Sequence, residues 1–359
     1  MKIVLAIDSF KGCLTSIEAA EAAAEGIRQS NKDAEIVSVP VSDGGEGMLD
    51  AFLSAKEGKR ISVNTHDALM RPVVAEYGVI DNTAIIETAQ SIGLMLIEKE
   101  QRNPIAATSY GVGEIIADAI RKGYHKFIIG LGGSATSDAG IGMLRALLDC
   151  LGRHDEHIDD VLHRELGECE FTLASDVSNP LLGDNGAAHI FATQKGATES
   201  QIEILENRVR KFADISSRHY GYDCRDNSGA GAAGGLGYSF MQYLGAKVES
   251  GAELLLRIIH FDNIIRDADL IITGEGKADN QTLMGKLPGI ILSNAWRYSV
   301  PVYLIAGKIQ DRHQLELAGF EKVECITPEN QSEEDALKSD NARMNIKNTI
   351  SAKIFSIFL

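Results

Sequence analysis

Between Lys126 and Asp138 the chain reads KFIIGLGGSATSD, a short apolar run that passes directly into glycines and hydroxyls. Gly130, Gly132 and Gly133 let backbone N–H groups approach a ligand with no Cβ in the way, and Ser134 and Thr136 add side-chain donors. The spacing predicts a helix from about Asp138 to Leu148, whose unpaired N–H groups would point back at the loop. Together these make a cradle for an anion, so the chemistry implied is that of phosphate or carboxylate. A tight strand-to-helix turn with no ligand would use the same glycines, and the loop alone does not separate the two.

Other loops repeat the pattern. Asp8-Ser9-Phe10-Lys11-Gly12, Ser42-Asp43-Gly44-Gly45-Glu46-Gly47 and the stretch from Gly274 to Thr282 each follow an apolar run. They bring Asp8, Asp43, Asp138, Asp176, Glu275 and Asp279 into play beside Lys11, Lys195 and Lys286. Phosphoryl transfer needs this inventory: carboxylates to hold Mg²⁺ and take a proton, cations and N–H groups to hold phosphate oxygens. One or two of these carboxylates are expected to do no more than cap helices.

Two dinucleotide-type patterns compete with that reading. Gly130, Gly132 and Ala135 fit G-x-G-x-x-A after a strand, but no second strand ends in an acid about 20 residues on. Gly229, Gly231 and Gly234 fit G-x-G-x-x-G without an apolar strand before them. There is no G-x-x-x-x-G-K-[ST], no kinase H-R-D set and no G-x-S-x-G elbow. A nicotinamide-dependent hydroxyacid dehydrogenase and a non-catalytic sugar-acid sensor stand as the alternatives, the first separable by absorbance at 340 nm.

These loops must be held by regular elements. Lys2 to Asp8 reads as a buried strand, followed by a Thr15/Glu18 capping box and a helix with Ile17, Ala20, Ala24 and Ile27 on one face. Glu35 to Val41 supplies a second strand and Met48 opens a second helix. Arg60 to Thr65, Val73 to Ile80 and Ala84 to Glu87 alternate apolar and polar residues, with Asp81-Asn82 as a hairpin turn. Thr108 or Ser109 caps a helix leading to the Lys126 strand. Arg153 to Glu170 is charged and reads as a solvated excursion; Phe171 to Ala174 is a strand, and Glu199 to Ser217 a long amphipathic helix. Strand punctuation returns at Asp269 to Thr273, Val300 to Ala306 and Lys322 to Ile326, and Glu333 to Leu359 reads as a closing helix.

At 359 residues the chain is long for one core, and strands of one character at both ends predict a discontinuous α/β domain with another inserted. The expected division is 1–60 with 265–359, a parallel Rossmann-like sheet domain to which 105–150 can also be given, and 61–264, an inserted α/β domain. The formal net charge of −16 argues against nucleic acid and anionic membrane as partners. Five cysteines at irregular spacing, without C-x-x-C, read as a reducing compartment and no structural zinc. With no signal-like or membrane-length apolar run, a cytoplasmic protein is expected. A homodimer is compatible with this reading.

The segments DSFKGCLTS (8–16), PVSDGGEGML (40–49), GLGGSATSDAGIGML (130–144), SDVSNPLLG (175–183), QKGA (194–197), GAGAAGGLG (229–237) and ITGEGKADNQTLMGKLPG (272–289) resemble the bacterial glycerate kinase family. The likeness keeps this order from Met1 to about Gly307. Ser137 and Ala139 stand where the family usually has Asn and Gly, and Ser228 where it has Pro. The resemblance implies the glycerate kinase fold, a site in a cleft between two domains, ATP and Mg²⁺ as cofactors, and D-glycerate as substrate, phosphorylated at the 2-hydroxyl rather than the 3-hydroxyl. On it, Lys11 or Arg71 would take the glycerate carboxylate, with Asp8, Glu46 and the N–H groups of Gly44 and Gly45 nearby, and Asp43 would act as base. The ATP phosphates would meet Gly132, Gly133, Ser134 and Thr136, together with Gly274 and Glu275, with Lys286 or Lys195 as the cation. Asp138 or Asp279 would lie near Mg²⁺.

Overall fold

The computed structural model describes residues 1–10, 12–42 and 47–354. Among them the strands are, in chain order, β1 (Lys2–Ile7), β2 (Glu35–Ser38), β3 (Lys59–His66), β4 (Pro72–Ile80), β5 (Thr83–Glu87), β6 (Lys126–Gly130), β7 (Glu170–Ala174), β8 (Lys247–Glu249), β9 (Leu270–Ala278), β10 (Val302–Ile309) and β11 (Lys322–Cys325). The chain divides into two units. One comprises Met1–Asp43, Asp50–Lys56 and Ala252–Leu359, the other Gly44–Leu49 and Glu57–Gly251. The expected limits were 60/61 and 264/265; the main breaks fall at 56/57 and 251/252.

The first unit is built on a five-stranded parallel sheet in the order β11-β10-β9-β1-β2. Ile3 to Ile7 have no exposed surface, as a central parallel strand covered on both faces requires. The helix Ser16–Ser30 opens with the Thr15/Glu18 capping box and turns Ala19, Ala20, Ala23 and Ile27 into a core shared with Ala342 and Ile346 of the helix Ser339–Thr349. From β1 the chain crosses to β2 on one side; from β9 it crosses to β10 and β11 on the other. The order therefore reverses between β1 and β9. Outside the carboxyl ends of those strands is where open parallel sheets bind ligands.

The second unit holds a six-stranded sheet in the order β3-β4-β5-β6-β7-β8, antiparallel through β3, β4 and β5 and parallel from β5 to β8. Asp81 and Asn82 both take positive φ, 47° and 63°, which fits the two-residue turn joining β4 to β5. Phe127 of β6 stacks on Phe171 of β7 with ring centroids 4.7 Å apart, next to Phe240. The segment 105–150, left open by the sequence, contributes β6 and its neighbouring helices Tyr110–Arg121 and Ile141–Leu151 to this unit.

Three local expectations change. The helix after the glycine loop starts at Ile141 rather than Asp138, because Ala139 and Gly140 sit in the left-handed region (φ 53° and 80°) and form a separate turn. The charged stretch 153–170 is not all solvated: the helix Ile158–Leu166 buries Val161, Leu162 and Leu166. The closing helix is broken into Glu333–Ala336 and Ser339–Thr349, with Lys338 extended between them and Asn341 Nδ2 donating to the carbonyl of Asp335 (2.8 Å). The last residues of that expected helix, 355–359, lie outside the described residues. Among the described residues no helix is long and apolar enough to cross a membrane.

Candidate active site

In the second unit, β6 ends at Gly130 and the chain turns through Leu131 to Thr136. Two backbone bonds pin the loop to the segment after β5: Leu94 N–H donates to Gly133 O (2.7 Å) and Ala135 N–H to Ile92 O (2.8 Å). Gly133 takes φ +69°, a conformation that glycine adopts without strain. The N–H groups of Gly132, Gly133 and Ser134 find no acceptor among the described residues. Beside them, the buried hydroxyls Thr136 Oγ1 and Ser137 Oγ have no hydrogen-bond partner among the described residues. Buried polar groups are seldom left unpaired, so this loop has the donors that an anion such as phosphate requires.

A buried amine reaches the same loop. Lys195, in the short helical turn Thr193–Lys195, is 2 % exposed. Its Nζ donates to Thr136 O (2.6 Å) and to Ser134 Oγ (3.2 Å), and among the described residues it forms no ion pair with a carboxylate. Burial pushes this amine down to about 7, with the charge of Asp138 opposing. Gly196 permits the turn: at φ +94° a Cβ there would come within 2.9 Å of Arg102 O.

Asp138, expected near a metal, is held by four donors. Its Oδ2 accepts from Ser109 N (2.8 Å), Ser109 Oγ (2.9 Å) and Gly142 N (3.0 Å), and its Oδ1 from Gly140 N (3.1 Å). Those four contacts tie the turn after the loop to the start of the helix Tyr110–Arg121. Arg71 is likewise engaged: Nε donates to Asp67 (2.6 Å), and the other two nitrogens to Gln101 Oε1 and Leu96 O (both 3.0 Å). Its fork closes the turn before β4.

The packing of the glycine-rich stretch 229–237 supports the loop from behind. Ala233, Gly234 and Gly235 are three successive left-handed residues (φ 51°, 70° and 87°). A Cβ on Gly234 would lie 2.0 Å from Thr136 O, the same oxygen that accepts from Lys195. Close approach is thus the reason for that glycine. Ala139 takes φ +53° and donates its N–H to Gly234 O (3.0 Å). Sequence reasoning missed Glu87, which is 3 % exposed at the end of β5 and accepts from Leu49 N (2.6 Å) and Gln90 Nε2 (3.3 Å). Its signal was an acid closing an apolar strand beside the glycine loop.

In the first unit a second group gathers at the reversal between β1 and β9. Asp8, just past β1, is 8 % exposed; its Oδ1 accepts from Ser9 N (2.7 Å) and its N–H donates to Gly274 O (2.9 Å). Gly274 is hemmed in, since a Cβ would meet Ile305 O at 2.7 Å. Glu275 is 7 % exposed, accepts from Thr282 Oγ1 (2.6 Å) and pairs with Lys286 Nζ (3.6 Å). Burial holds its carboxyl above the usual range, against the pull of Thr282 and Lys286. Asp279 pairs with Lys277 (2.9 Å), which holds its carboxyl low, and accepts from Gln281 N (2.9 Å). Lys286 is also the N-cap of the helix Leu287–Trp296. Lys11, Asp43, Gly44, Gly45 and Glu46 lie outside the described residues.

No group of three or more His, Cys, Asp or Glu side chains among the described residues could hold a metal by itself. Mg²⁺ asks for less, usually one or two carboxylates with the substrate's phosphates completing its shell. Asp279 and Glu275 fit that pattern.

Comparison with known proteins identifies the family. Residues 3–358 match the model of the glycerate kinase family. The chain is 40% identical over 356 residues to the glycerate kinase of Bacillus subtilis (strain 168), covering 94% of this chain and 93% of that protein. It is 40% identical over 328 residues to the glycerate 2-kinase of Escherichia coli (strain K12), covering 87% and 86%. A crystal structure of a protein assigned as glycerate kinase 2 from Salmonella typhimurium LT2 superposes with a TM-score of 0.79 at 36% identity, over 100% of this chain and 98% of that one. The chain belongs to the glycerate kinase family.

Proposed function

We propose that this chain transfers the γ-phosphoryl group of ATP to the 2-hydroxyl of D-glycerate. The observation that carries the reading is the loop Gly132–Thr136, which has N–H groups without an acceptor among the described residues and is contacted at Ser134 Oγ and Thr136 O by the buried amine of Lys195. A site so equipped favours a multiply charged anion over the single carboxylate of a small acid. The E. coli relative is named a 2-kinase, which favours the 2-hydroxyl as acceptor.

In this reading the new bond forms between the glycerate oxygen and the γ-phosphorus, the bond to the ADP oxygen breaks, and the hydroxyl proton goes to Asp43. Phosphate oxygens are held by the N–H groups of Gly132, Gly133 and Ser134, with Lys195 charged once they are in place. Lys286, kept in position by Glu275, supplies a further cation as charge shifts to the leaving oxygen. Lys11, Gly44, Gly45, Glu46 and Asp8 are the residues assigned to the substrate. Mg²⁺, when bound, offsets phosphate charge, and Asp279 and Glu275 are the residues that would hold it. Asp138 acts as a positioning residue, tying the turn after the loop to Ser109.

Product analysis by ³¹P NMR after incubation with ATP, Mg²⁺ and each glycerate enantiomer tests this. 2-Phosphoglycerate from the D-enantiomer is expected. A 3-phospho product would overturn the regiochemistry, and an absence of any phosphorylated acid would overturn the reading.

A further inference from the structure

Two strips of backbone hold the glycine loop of the second unit. One is the segment after β5: Leu94 N–H donates to Gly133 O, Ala135 N–H donates to Ile92 O, and Gly93 faces Ser134 across an antiparallel bridge. The other is the turn Thr193–Lys195, which delivers the buried amine to Ser134 and Thr136.

A single guanidinium touches both strips. Arg102 Nη1 donates to Gln194 O (3.4 Å), next to Lys195, while Nη2 donates to Leu94 O (3.5 Å) and Nε to Ile97 O (3.5 Å). Each contact is long, so none is strong by itself; together they fix the spacing between the strips. Arginine suits the position because its planar fork aims donors in several directions, whereas an ammonium has one nitrogen to offer. Arg102 is half-buried and pairs with no carboxylate among the described residues, so its charge meets carbonyl oxygens alone. Its backbone adds a wall to the lysine turn, since a Cβ on Gly196 would lie 2.9 Å from Arg102 O and 3.0 Å from Arg102 Cβ. Just downstream, Ile105 packs on the small cluster of Ala188, Ala192, Ala197 and Leu205, which anchors the segment beside that turn.

We propose that Arg102 is a positioning residue for phosphate binding: it sets the distance between the loop Gly132–Thr136 and the amine of Lys195, and touches no substrate itself. The assignment rests on the ATP reading above and adds to it a residue outside both the loop and its lysine.

Kinetics and labelling of the full chain test it. Arg102→Met should raise the KM for ATP about tenfold, or ~1.4 kcal/mol shared by three long contacts, and leave the KM for glycerate near wild type. Arg102→Lys should fall between the two, because it keeps the charge and loses the fork. Millimolar methylguanidine should restore ATP affinity to Arg102→Met and not to Lys195→Met. A purely structural arginine would instead lower the melting temperature and raise both KM values together without rescue, and that result would overturn the proposal. Acetic anhydride labelling read by mass spectrometry needs no turnover: Lys195, slow to react in wild type, should react faster in Arg102→Met. Unchanged labelling together with an unchanged KM for ATP would overturn the proposal as well. Faster labelling in a protein that phosphorylates no glycerate would uphold the role of Arg102 and refute the kinase reading.

Discussion

The amine of Lys195 lies 2.6 Å from the carbonyl oxygen of Thr136, inside the protein and with 2 % of the residue exposed. A lysine is rarely placed there without a charge to meet. Burial pushes it down to about 7, against an unfolded value of ~10.4.

The sign of the resulting pH dependence follows. Between about 7 and ~10.4 the unfolded chain binds more protons at this residue than the native one, so its contribution to stability rises with pH over that window. Melting temperatures of wild type and Lys195→Met, compared at pH 7 and pH 10, should show wild type gaining on the variant at the higher pH. Parallel curves would mean that Lys195 is not buried as described. Calorimetric titration with ATP at pH 8 should register proton uptake by wild type that the variant lacks.

Replacing Gly234 with Ala places a methyl 2.0 Å from Thr136 O and forces a left-handed conformation that costs alanine about 1–2 kcal/mol before any clash. Thr136 must shift, and the Lys195 contact with it. We expect a lower melting temperature together with a raised KM for ATP and a KM for glycerate near wild type. An unchanged KM for ATP would uncouple the two glycine-rich segments from nucleotide binding.

Asp138→Ala strips acceptors from Ser109, Gly140 and Gly142, a loss of roughly 1–3 kcal/mol for each buried donor left unpaired. The variant should be markedly less stable, while its dependence of rate on Mg²⁺ concentration keeps the wild-type midpoint. A large shift in that midpoint would return Asp138 to the metal.

Thr282→Val removes the 2.6 Å hydrogen bond to Glu275 and leaves a 7 %-exposed carboxylate with Lys286 as its partner among the described residues. Its carboxyl should rise further, and kcat should fall as Lys286 loses a fixed counter-charge. Lys286→Met itself should lower kcat about 10²-fold, the scale of one lost electrostatic donor. A Lys286→Met enzyme with wild-type kcat would remove that lysine from the reaction.

Where local physics decides, the chain is readable. The apolar run of β1, the Thr15/Glu18 box and the Asp81-Asn82 turn each declare themselves within a few residues, because capping, burial and left-handed turns are short-range demands. The site is less so. Lys195 stands out in Gln194-Lys195-Gly196-Ala197 as a cation beside a glycine, but its burial does not; it contacts Thr136, 59 residues earlier. Asp138 reads as one more acid beside a glycine loop until Ser109, 29 residues away, is seen to claim it. Arg71 is diverted in the same manner by Leu96 and Gln101. Contacts of that sequence separation leave no mark on the residues around each charged group.

The sheet of the first unit sets an order of events at synthesis. β1 is flanked by β2 and β9, and the register that joins Ile3 to Leu270 pairs a strand from the start of the chain with one made far later. At about 5–20 residues per second, an emerging polypeptide leaves that apolar strand without its neighbour for on the order of ten seconds or more. The ribosome finishes the whole of 57–251 in the interval. A chaperone that shields the amino-terminal fifty residues should therefore raise the yield of native protein, and chains truncated before Leu270 should aggregate through β1.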